Sequence, residues 1–170
     1  MGFKVGQKVV YPNHGIGTIE QIEQKQIGAV ALPFYTLRLA ATNSLVLVPV
    51  SNASEVGLRR PISSVECESL FKALADDFCS PANDWKDRFK ENSERMADGS
   101  LLAVAEVLKS LLELQAQAKV LSFREKKMLD RARHMLITEL ATSRAMTEVD
   151  AIVVFDKALS KASLRFPEAM

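Results

Sequence analysis

Apolar and polar residues follow two different rhythms along the chain, and the change falls near Ile62. Before that point, apolar residues alternate with polar ones, as in strands with one buried face. Beyond it they recur every three or four residues, which is the spacing of an amphipathic helix. The pattern predicts an α+β protein of two domains, with a strand-rich domain over residues 1–60 and an all-helical domain over residues 61–170.

The first domain is expected to contain five short strands. They are predicted over residues 5–11, 16–22, 34–39, 44–49 and 56–59, and the turn-forming cluster at 12–15 closes the first hairpin. Short strands joined by tight turns within about sixty residues are typical of a small, strongly bent antiparallel barrel of the SH3 or Tudor type.

One connection in this domain has an unusual composition. Residues 28–33 read Gly-Ala-Val-Ala-Leu-Pro, although the tip of a hairpin is usually polar. The segment fits a longer strand pair with a buried end or an exposed adhesive loop. Burial of the end is the expected outcome.

The second domain is expected to be a compact bundle of five helices. Capping boxes at Ser63-x-x-Glu66 and Ser122-x-x-Glu125 open the first and fourth helices. Asn83 or Asp84, Ser100 and Thr147 can cap the others. The first helix is expected to stop early, at Asp76-Asp77, and the tail from about residue 162 is predicted to be frayed. The side chains predicted to face the core are Val65, Leu70, Phe71, Leu74, Phe78, Met96, Leu101, Leu102, Val104, Ala105, Leu108, Leu111, Leu112, Phe123, Met128, Leu129, Ala132, Leu136, Leu140, Ile152, Val153, Phe155 and Leu159.

Composition narrows the range of functions. The 170 residues are 48% hydrophobic and 25% charged, and their formal net charge is +1 at pH 7. A protein that binds DNA tightly by itself is usually far more basic, because its affinity grows with the number of phosphates it neutralises. We therefore expect any DNA contact to be weak and to depend on a tether. A local basic face is nevertheless present, since residues 124–133 contain five cations and two acids.

Residues that could support catalysis or bind a cofactor are few. Two cysteines, Cys67 and Cys79, make neither a disulfide framework nor a zinc site, and His14 and His134 lie far apart in the sequence. The sequence contains no phosphate-binding Gly-x-x-x-x-Gly-Lys-Ser/Thr loop. We predict that the protein is not an enzyme, needs no cofactor or metal, and is a cytoplasmic monomer without a membrane segment.

The stretch around Trp85, the only tryptophan, carries the strongest candidate chemistry. Trp85 is expected in the first turn of a helix, with Arg88 and Phe89 three and four residues further on. A flat ring flanked by cations suits insertion against stacked bases beside phosphates. It also suits a structural role, in which the ring anchors the helix to its neighbours. Taken alone, the stretch favours the structural role.

Motifs in both halves resemble the CarD/CdnL family of bacterial transcription regulators. Those in the first domain are Phe-Lys-Val-Gly at 3–6, Val-Val-Tyr-Pro-Asn-His-Gly-Ile-Gly at 9–17, Val-Pro at 48–49 and Val-Gly-Leu-Arg at 56–59. Those in the second are Ala-Glu-Val-Leu at 105–108, Leu-Ser at 121–122, Glu-Lys-Lys-Met-Leu at 125–129 and Ala-Arg at 132–133. In this family the first domain is a Tudor-like module shared with transcription-repair coupling factors.

The resemblance implies that the first domain docks on the β subunit of RNA polymerase and that the second contacts promoter DNA. Trp85 would wedge into the minor groove at the upstream edge of the transcription bubble and stabilise the open complex. The remaining implied DNA contacts are Arg88, Lys90, Lys126, Lys127, Arg131 and Arg133. The implied polymerase contacts are Lys25, Ile27, Leu47 and Pro49, of which Lys25 replaces an arginine of relatives and Leu47 replaces an arginine found in some.

The resemblance also implies weak, largely sequence-independent binding to DNA and an association with the nucleoid through the polymerase. A second interpretation stays open. In it the protein is an adaptor that bridges RNA polymerase to another factor and makes no direct contact with DNA.

Overall fold

A computed structural model describes residues 2–12, 14–76, 84–117 and 119–170, without the side chain of Trp85. The chain forms two compact units, residues 1–61 and 62–170. The first consists of an antiparallel sheet and a single turn of 3-10 helix, and the second contains five helices. The predicted fold class, a small Tudor-like β domain followed by a helical domain, is confirmed.

The sheet contains four strands in sequential order. They are β1 (Lys8–Tyr11), β2 (Gly15–Ile27), β3 (Val30–Leu39) and β4 (Leu45–Pro49), and a 3-10 turn over Val50–Asn52 follows. The predicted fifth strand over 56–59 is wrong: residues 53–57 form turns, and Arg59 makes one isolated bridge to Val10. Val5, which we expected in the first strand, lies in an exposed turn before β1.

The apolar segment 28–33 forms the end of a long hairpin. β2 and β3 stay paired out to Ile27 opposite Val30, so Gly28-Ala29 is a two-residue turn. Gly28 has a φ of 62°, which a tight hairpin turn requires and glycine adopts at no steric cost. The expected burial of this end is wrong, because Ile27, Val30 and Leu32 are all exposed.

A bulge in β2 shifts the strand register between Ile19 and Gln21. Ile19, opposite Leu37, and Ile22, opposite Tyr35, therefore project to the same side of the sheet, where Ile19 is buried and Ile22 is exposed. Tyr35 and Leu37 of β3 are buried there with Val9 and Leu58. Tyr35 also accepts a hydrogen bond at its hydroxyl from the backbone N–H of Phe3 at 3.0 Å, which ties the N-terminal segment to the core.

The helical unit contains α1 (Ser64–Ala75), α2 (Trp85–Asp98), α3 (Leu101–Ala116), α4 (Phe123–Arg144) and α5 (Glu148–Ser160). The predicted caps are confirmed. Both capping boxes are formed, and Asp84, Ser100 and Thr147 each accept a bond from a backbone N–H of the following turn. α1 ends at Ala75, with Asp76 in extended conformation, as expected; Asn13, Asp77, Phe78, Cys79 and Asn83 lie outside the described residues.

α3 lies at the centre of the bundle and packs against α1, α2 and α4. Its buried residues include Leu108, Leu111 and Leu114. The buried Lys109 reaches out of this core, since its ammonium donates to the carbonyl of Ala73 in the last turn of α1 at 3.1 Å. That contact satisfies a helix-end carbonyl and gives the buried charge a partner.

The start of the helical unit is attached to α4 through the backbone of Ile62. Its N–H donates to the buried carboxylate of Glu139 at 2.8 Å, and its carbonyl accepts from the hydroxyl of Ser143. The chain therefore enters this domain at a position fixed by two side chains of one helix.

Four of the residues predicted to face the core are exposed. Val65, Leu102, Phe123 and Val153 each lie two positions before a buried residue of the same helix. Two positions correspond to roughly 200° around an α-helix, so such a residue faces away from the buried stripe. The prediction of these helices was right, but the prediction that these four side chains face the core was wrong.

The tail is packed, and the prediction that it is frayed is wrong for Leu164 and Phe166, which are both buried. The ring of Phe166 stacks on that of Phe155 with centroids 5.3 Å apart, and the Phe166 N–H donates to Asp156 at 2.9 Å. Arg133 Nε donates to the Pro167 carbonyl at 2.8 Å. The tail has no periodicity to predict because it is held by these separate contacts.

We predict that Phe166→Ala lowers the free energy of unfolding by about 3 kcal/mol, because it deletes a buried ring. Urea unfolding followed by circular dichroism measures the change. The neighbouring Arg165→Ala is the control, since Arg165 is exposed. Equal stability of Phe166→Ala and the wild-type protein would show that the tail is not part of the core.

Candidate functional sites

The first turns of α2 and α4 meet at a buried ion pair. Arg88 Nε lies 2.6 Å from Glu125 Oε2, and Arg88 Nη2 lies 3.1 Å from Glu125 Oε1. The guanidinium thus binds the carboxylate with two parallel hydrogen bonds, the strongest geometry for such a pair. Arg88 is 8% exposed and Glu125 is completely buried.

Glu125 has a second structural role in α4. Its Oε1 accepts from the Ser122 N–H at 3.1 Å, and its own N–H donates to Ser122 Oγ at 3.2 Å. Burial raises the pKa of the Glu125 carboxyl, but the hydrogen bonds from Arg88 and from the Ser122 N–H lower it by more, so the pKa is below its ordinary value. One carboxylate therefore caps α4 and fixes α4 to α2.

α2 has an unusually polar buried side. Its inward positions are Arg88, Asn92 and Met96, spaced four residues apart. The side-chain carbonyl of Asn92 accepts from Arg95, which lies 3.7 Å from Glu106 of α3. These polar contacts attach α2 to α3 and α4 and fix its first turn.

Trp85 is the first residue of α2. Asp84 caps the helix by accepting from the Lys86 N–H at 2.9 Å. Positions 85, 88 and 89 share one side of the helix by their spacing. The ion pair at Arg88 therefore fixes the helix turn that bears Trp85.

Aromatic rings and cations lie next to each other where α2 and α4 meet. The Arg124 guanidinium lies 5.9 Å from the centroid of the Phe89 ring, which links α4 to α2 a second time. The Lys127 ammonium lies 4.7 Å from the centroid of the Phe123 ring, and Phe123 is 66% exposed. Both distances are within the range of cation–π attraction.

The cations implied as DNA contacts occupy different environments. Lys90, Lys126, Lys127 and Arg131 are exposed. Arg88 is buried against Glu125, and Arg133 is half-buried, bonded to Pro167 and 5.7 Å from the centroid of the Phe166 ring. Lys126 and Lys127 are thus exposed near the start of α4, whereas Arg88 and Arg133 are engaged within the fold.

Sequence reasoning did not find the Arg88–Glu125 pair or the exposure of Phe123. The capping box identified Glu125, but the distant partner of its carboxylate leaves no trace in local spacing. The capping box gives a signal for the exposure of Phe123. Glu125, the third residue of α4, faces α2, so Phe123, the first residue, faces the other side of the helix.

The residues implied as polymerase contacts share one face of the sheet. Directly paired residues of neighbouring antiparallel strands project to the same side. The register pairs Gln21 with Thr36 and Thr36 with Leu47, and it pairs Glu23 with Phe34 and Phe34 with Pro49. Lys25 and Ile27 follow Glu23 at alternate positions of β2, so Lys25, Ile27, Leu47 and Pro49 all lie on the outer face.

This outer face has a group of exposed apolar side chains and ends at the edge strand β4. Ile27, Val30, Leu32, Leu45 and Leu47 are exposed on it. β4 is the last strand of the sheet, so one side of its backbone has no partner strand in the part of the chain that the structure describes. Such an edge can pair with a strand of another protein.

Other kinds of site are not found in the described residues. Those residues contain no group of three or more histidine, cysteine, aspartate or glutamate side chains placed to hold a metal ion. None of the described helices is long and apolar enough to cross a membrane.

We predict that Arg88→Met and Glu125→Gln each lower the free energy of unfolding by roughly 3–5 kcal/mol, because each leaves a buried polar partner without its ion pair. In the double variant the free energy of unfolding should fall by clearly less than the sum of the two single decreases. Glutamine keeps the capping box, so the comparison isolates the pair. Urea unfolding at pH 7 measures all three, with Glu68→Gln, at an exposed position of α1, as control.

The pair should also make stability depend on pH. The pKa of Glu125 is lower in the folded than in the unfolded protein, so its contribution is present above the ordinary carboxyl range and is lost as the pH falls through the folded value. Glu125→Gln should flatten this part of the stability–pH curve. An unchanged curve, or single losses that simply add, would contradict the pair's assigned role.

Comparison with known proteins matches each of the two domains to a protein family. Residues 3–62 match the family "CarD-like/TRCF RID domain", and residues 69–156 match "CarD, C-terminal domain". The protein named "Putative transcription factor YdeB" from Bacillus subtilis (strain 168) is 33% identical over 150 residues, which cover 86% of this chain and 95% of that protein. The chain therefore belongs to the CarD/CdnL family of transcription regulators.

Proposed function

We propose that the protein docks on RNA polymerase through its first domain and stabilises the promoter open complex through its second. The observation that carries the proposal is the meeting of α2 and α4, where an ion pair fixes the turn that bears Trp85 beside exposed cations. The family assignment of both domains supports it. No catalytic step is needed for this function.

The polymerase side of the proposal rests on the first domain. It matches a domain family that is named for interaction with RNA polymerase. The outer face of the sheet supplies exposed apolar side chains, and the edge of β4 supplies unpaired backbone groups. Strand addition at this edge, on the β subunit, would use backbone hydrogen bonds for affinity and Leu47 and Pro49 for specificity.

The DNA side rests on charge at the start of α4. Glu125 is neutralised by Arg88, so Arg124, Lys126 and Lys127 surround it with positive charge that remains exposed. A few phosphate contacts beside a tryptophan wedge suit the minor groove at the edge of melted DNA. Arg88 serves as the residue that positions this turn rather than as a phosphate ligand.

The near-neutral charge fits a tethered contact. A domain held to the polymerase meets promoter DNA at a high effective concentration, so it needs few phosphate contacts of its own. The domain can shift the equilibrium between closed and open complexes only by the difference between its binding free energies to melted and to paired DNA. A difference of about 1.4 kcal/mol would change that equilibrium tenfold.

We predict that Trp85→Ala shortens the lifetime of the polymerase open complex about tenfold, because the wedge is lost. Competitor-challenge experiments on a promoter with a short-lived open complex measure this lifetime. Trp85→Phe keeps a ring and should lose less. Leu47→Glu should abolish the whole effect by weakening polymerase binding, since it places a charge on the exposed apolar face.

The same experiment separates the proposal from the adaptor interpretation. If Trp85→Ala leaves the lifetime unchanged while polymerase binding persists, the wedge is absent. The protein would then act by joining polymerase to another factor.

We further predict weak binding of the isolated protein to duplex DNA with a shallow salt dependence. If about three cations contact phosphates, the logarithmic slope should be near −3. Fluorescence anisotropy between 25 and 200 mM salt, about an eightfold range in concentration, measures it. A slope several times steeper would show a much larger phosphate interface than the exposed cations of α2 and α4 provide.

A further inference from the structure

We infer that Phe123 is a second DNA-contacting aromatic residue, which stacks its ring on an unpaired base at the edge of melted DNA. The inference rests on the proposed function and extends it to a position that none of the motif comparisons singled out. The observations that carry it are the exposure of this ring, the cation on it, and its place in the first turn of α4, which is held against the first turn of α2.

Phe123 is exposed because of the way α4 is capped. It is the first helical residue, and Glu125, two positions later, faces α2 and is completely buried. The Phe123 side chain therefore points away from the core and is 66% exposed. Among the phenylalanine and tyrosine side chains that the structure describes, it is the only exposed one.

Exposing a ring of this size has no evident structural benefit. Burying it would stabilise the fold, because it would remove a large apolar surface from water. Among the described residues, the ring contacts the Lys127 ammonium of its own helix, so its removal should cost the bundle little. An exposed aromatic ring that is not part of the core fits a binding surface.

The surroundings of the ring favour nucleic acid over protein as its partner. Lys127 lies over the ring, and Arg124 and Lys126 are exposed in the same turn. Lysine is depleted in the cores of protein interfaces, whereas rings interleaved with cations are the pattern of single-strand binding sites. A base can stack on the ring while the cations contact the phosphates on either side.

The position of the ring links it to the wedge. Arg88 binds Glu125, and Arg124 lies against Phe89, so the turns that begin with Trp85 and Phe123 are held together. Two aromatic residues on neighbouring helix starts could act on adjacent parts of one fork, the tryptophan in the groove and the phenylalanine on the exposed base. This arrangement would give preference for melted over paired DNA.

The test uses the full chain and a fluorescent forked oligonucleotide, a duplex that opens into two unpaired arms, at low salt. Phe123→Ala should weaken binding to the fork roughly fivefold or more, the loss expected for one base–aromatic stack. Binding to the fully paired duplex should change little. Phe123→Tyr should restore binding, and thermal unfolding should be unchanged because the ring is exposed.

An abasic fork identifies the contact. When the first unpaired base is replaced by an abasic residue, wild-type protein and Phe123→Ala should bind equally. The control is Val120→Ala, which removes another exposed apolar side chain three residues away. Any of three results would overturn the inference. Phe123→Ala could weaken binding to fork and duplex equally, or Val120→Ala could weaken fork binding as much as Phe123→Ala does. The third is a difference in affinity between wild type and Phe123→Ala that stays as large on the abasic fork.

Two further outcomes keep this inference distinct from the proposed function. If Phe123→Ala weakens binding to polymerase without DNA, the ring contacts protein and the inference fails while docking stands. If Trp85→Ala has no effect on fork binding and Phe123→Ala does, the wedge fails and the stacking contact stands. If both variants weaken fork binding, and the abasic fork removes only the effect of Phe123→Ala, the wedge and the stacking contact are both supported.

Discussion

The buried pair of Arg88 and Glu125 decides where the candidate DNA-contacting residues lie. Among the described side chains of α2, the buried ones are an arginine, an asparagine and a methionine. A buried ion pair adds little net stability compared with apolar packing, because desolvation opposes the attraction. What it provides is a fixed geometry. The two hydrogen bonds between guanidinium and carboxylate orient the first turn of α2 against the first turn of α4.

The two domains supply different kinds of surface. The sheet offers apolar side chains and the edge of β4, whereas the start of α4 offers cations around a neutralised acid. Under the proposed function, this division accounts for a net charge of only +1. Positive charge is needed only where the helical domain meets phosphates, since affinity for the transcription complex can come from the protein contact.

The sequence predicted what depends on neighbouring residues. Ser63, Ser100, Ser122 and Thr147 identified helix starts correctly, because a cap is a contact within one turn. The sequence could not predict contacts between positions far apart in the chain, such as those of Arg88 with Glu125 or Phe166 with Phe155. The exposed end of the β2–β3 hairpin has a related cause. Apolar composition normally indicates burial, but none of the described residues of the first domain covers the outer side of that end.

The exposure of Phe123 follows from the same constraint as the ion pair. Glu125 must face α2 to bind Arg88 and must stay at the third helical position to close the capping box with Ser122. These two requirements fix the rotation of the first turn of α4, and at 100° per residue they place position 123 on the outer side. An apolar residue there cannot contribute to the core whatever its size. A large aromatic ring at this position is therefore better explained by what it can bind than by what it can stabilise.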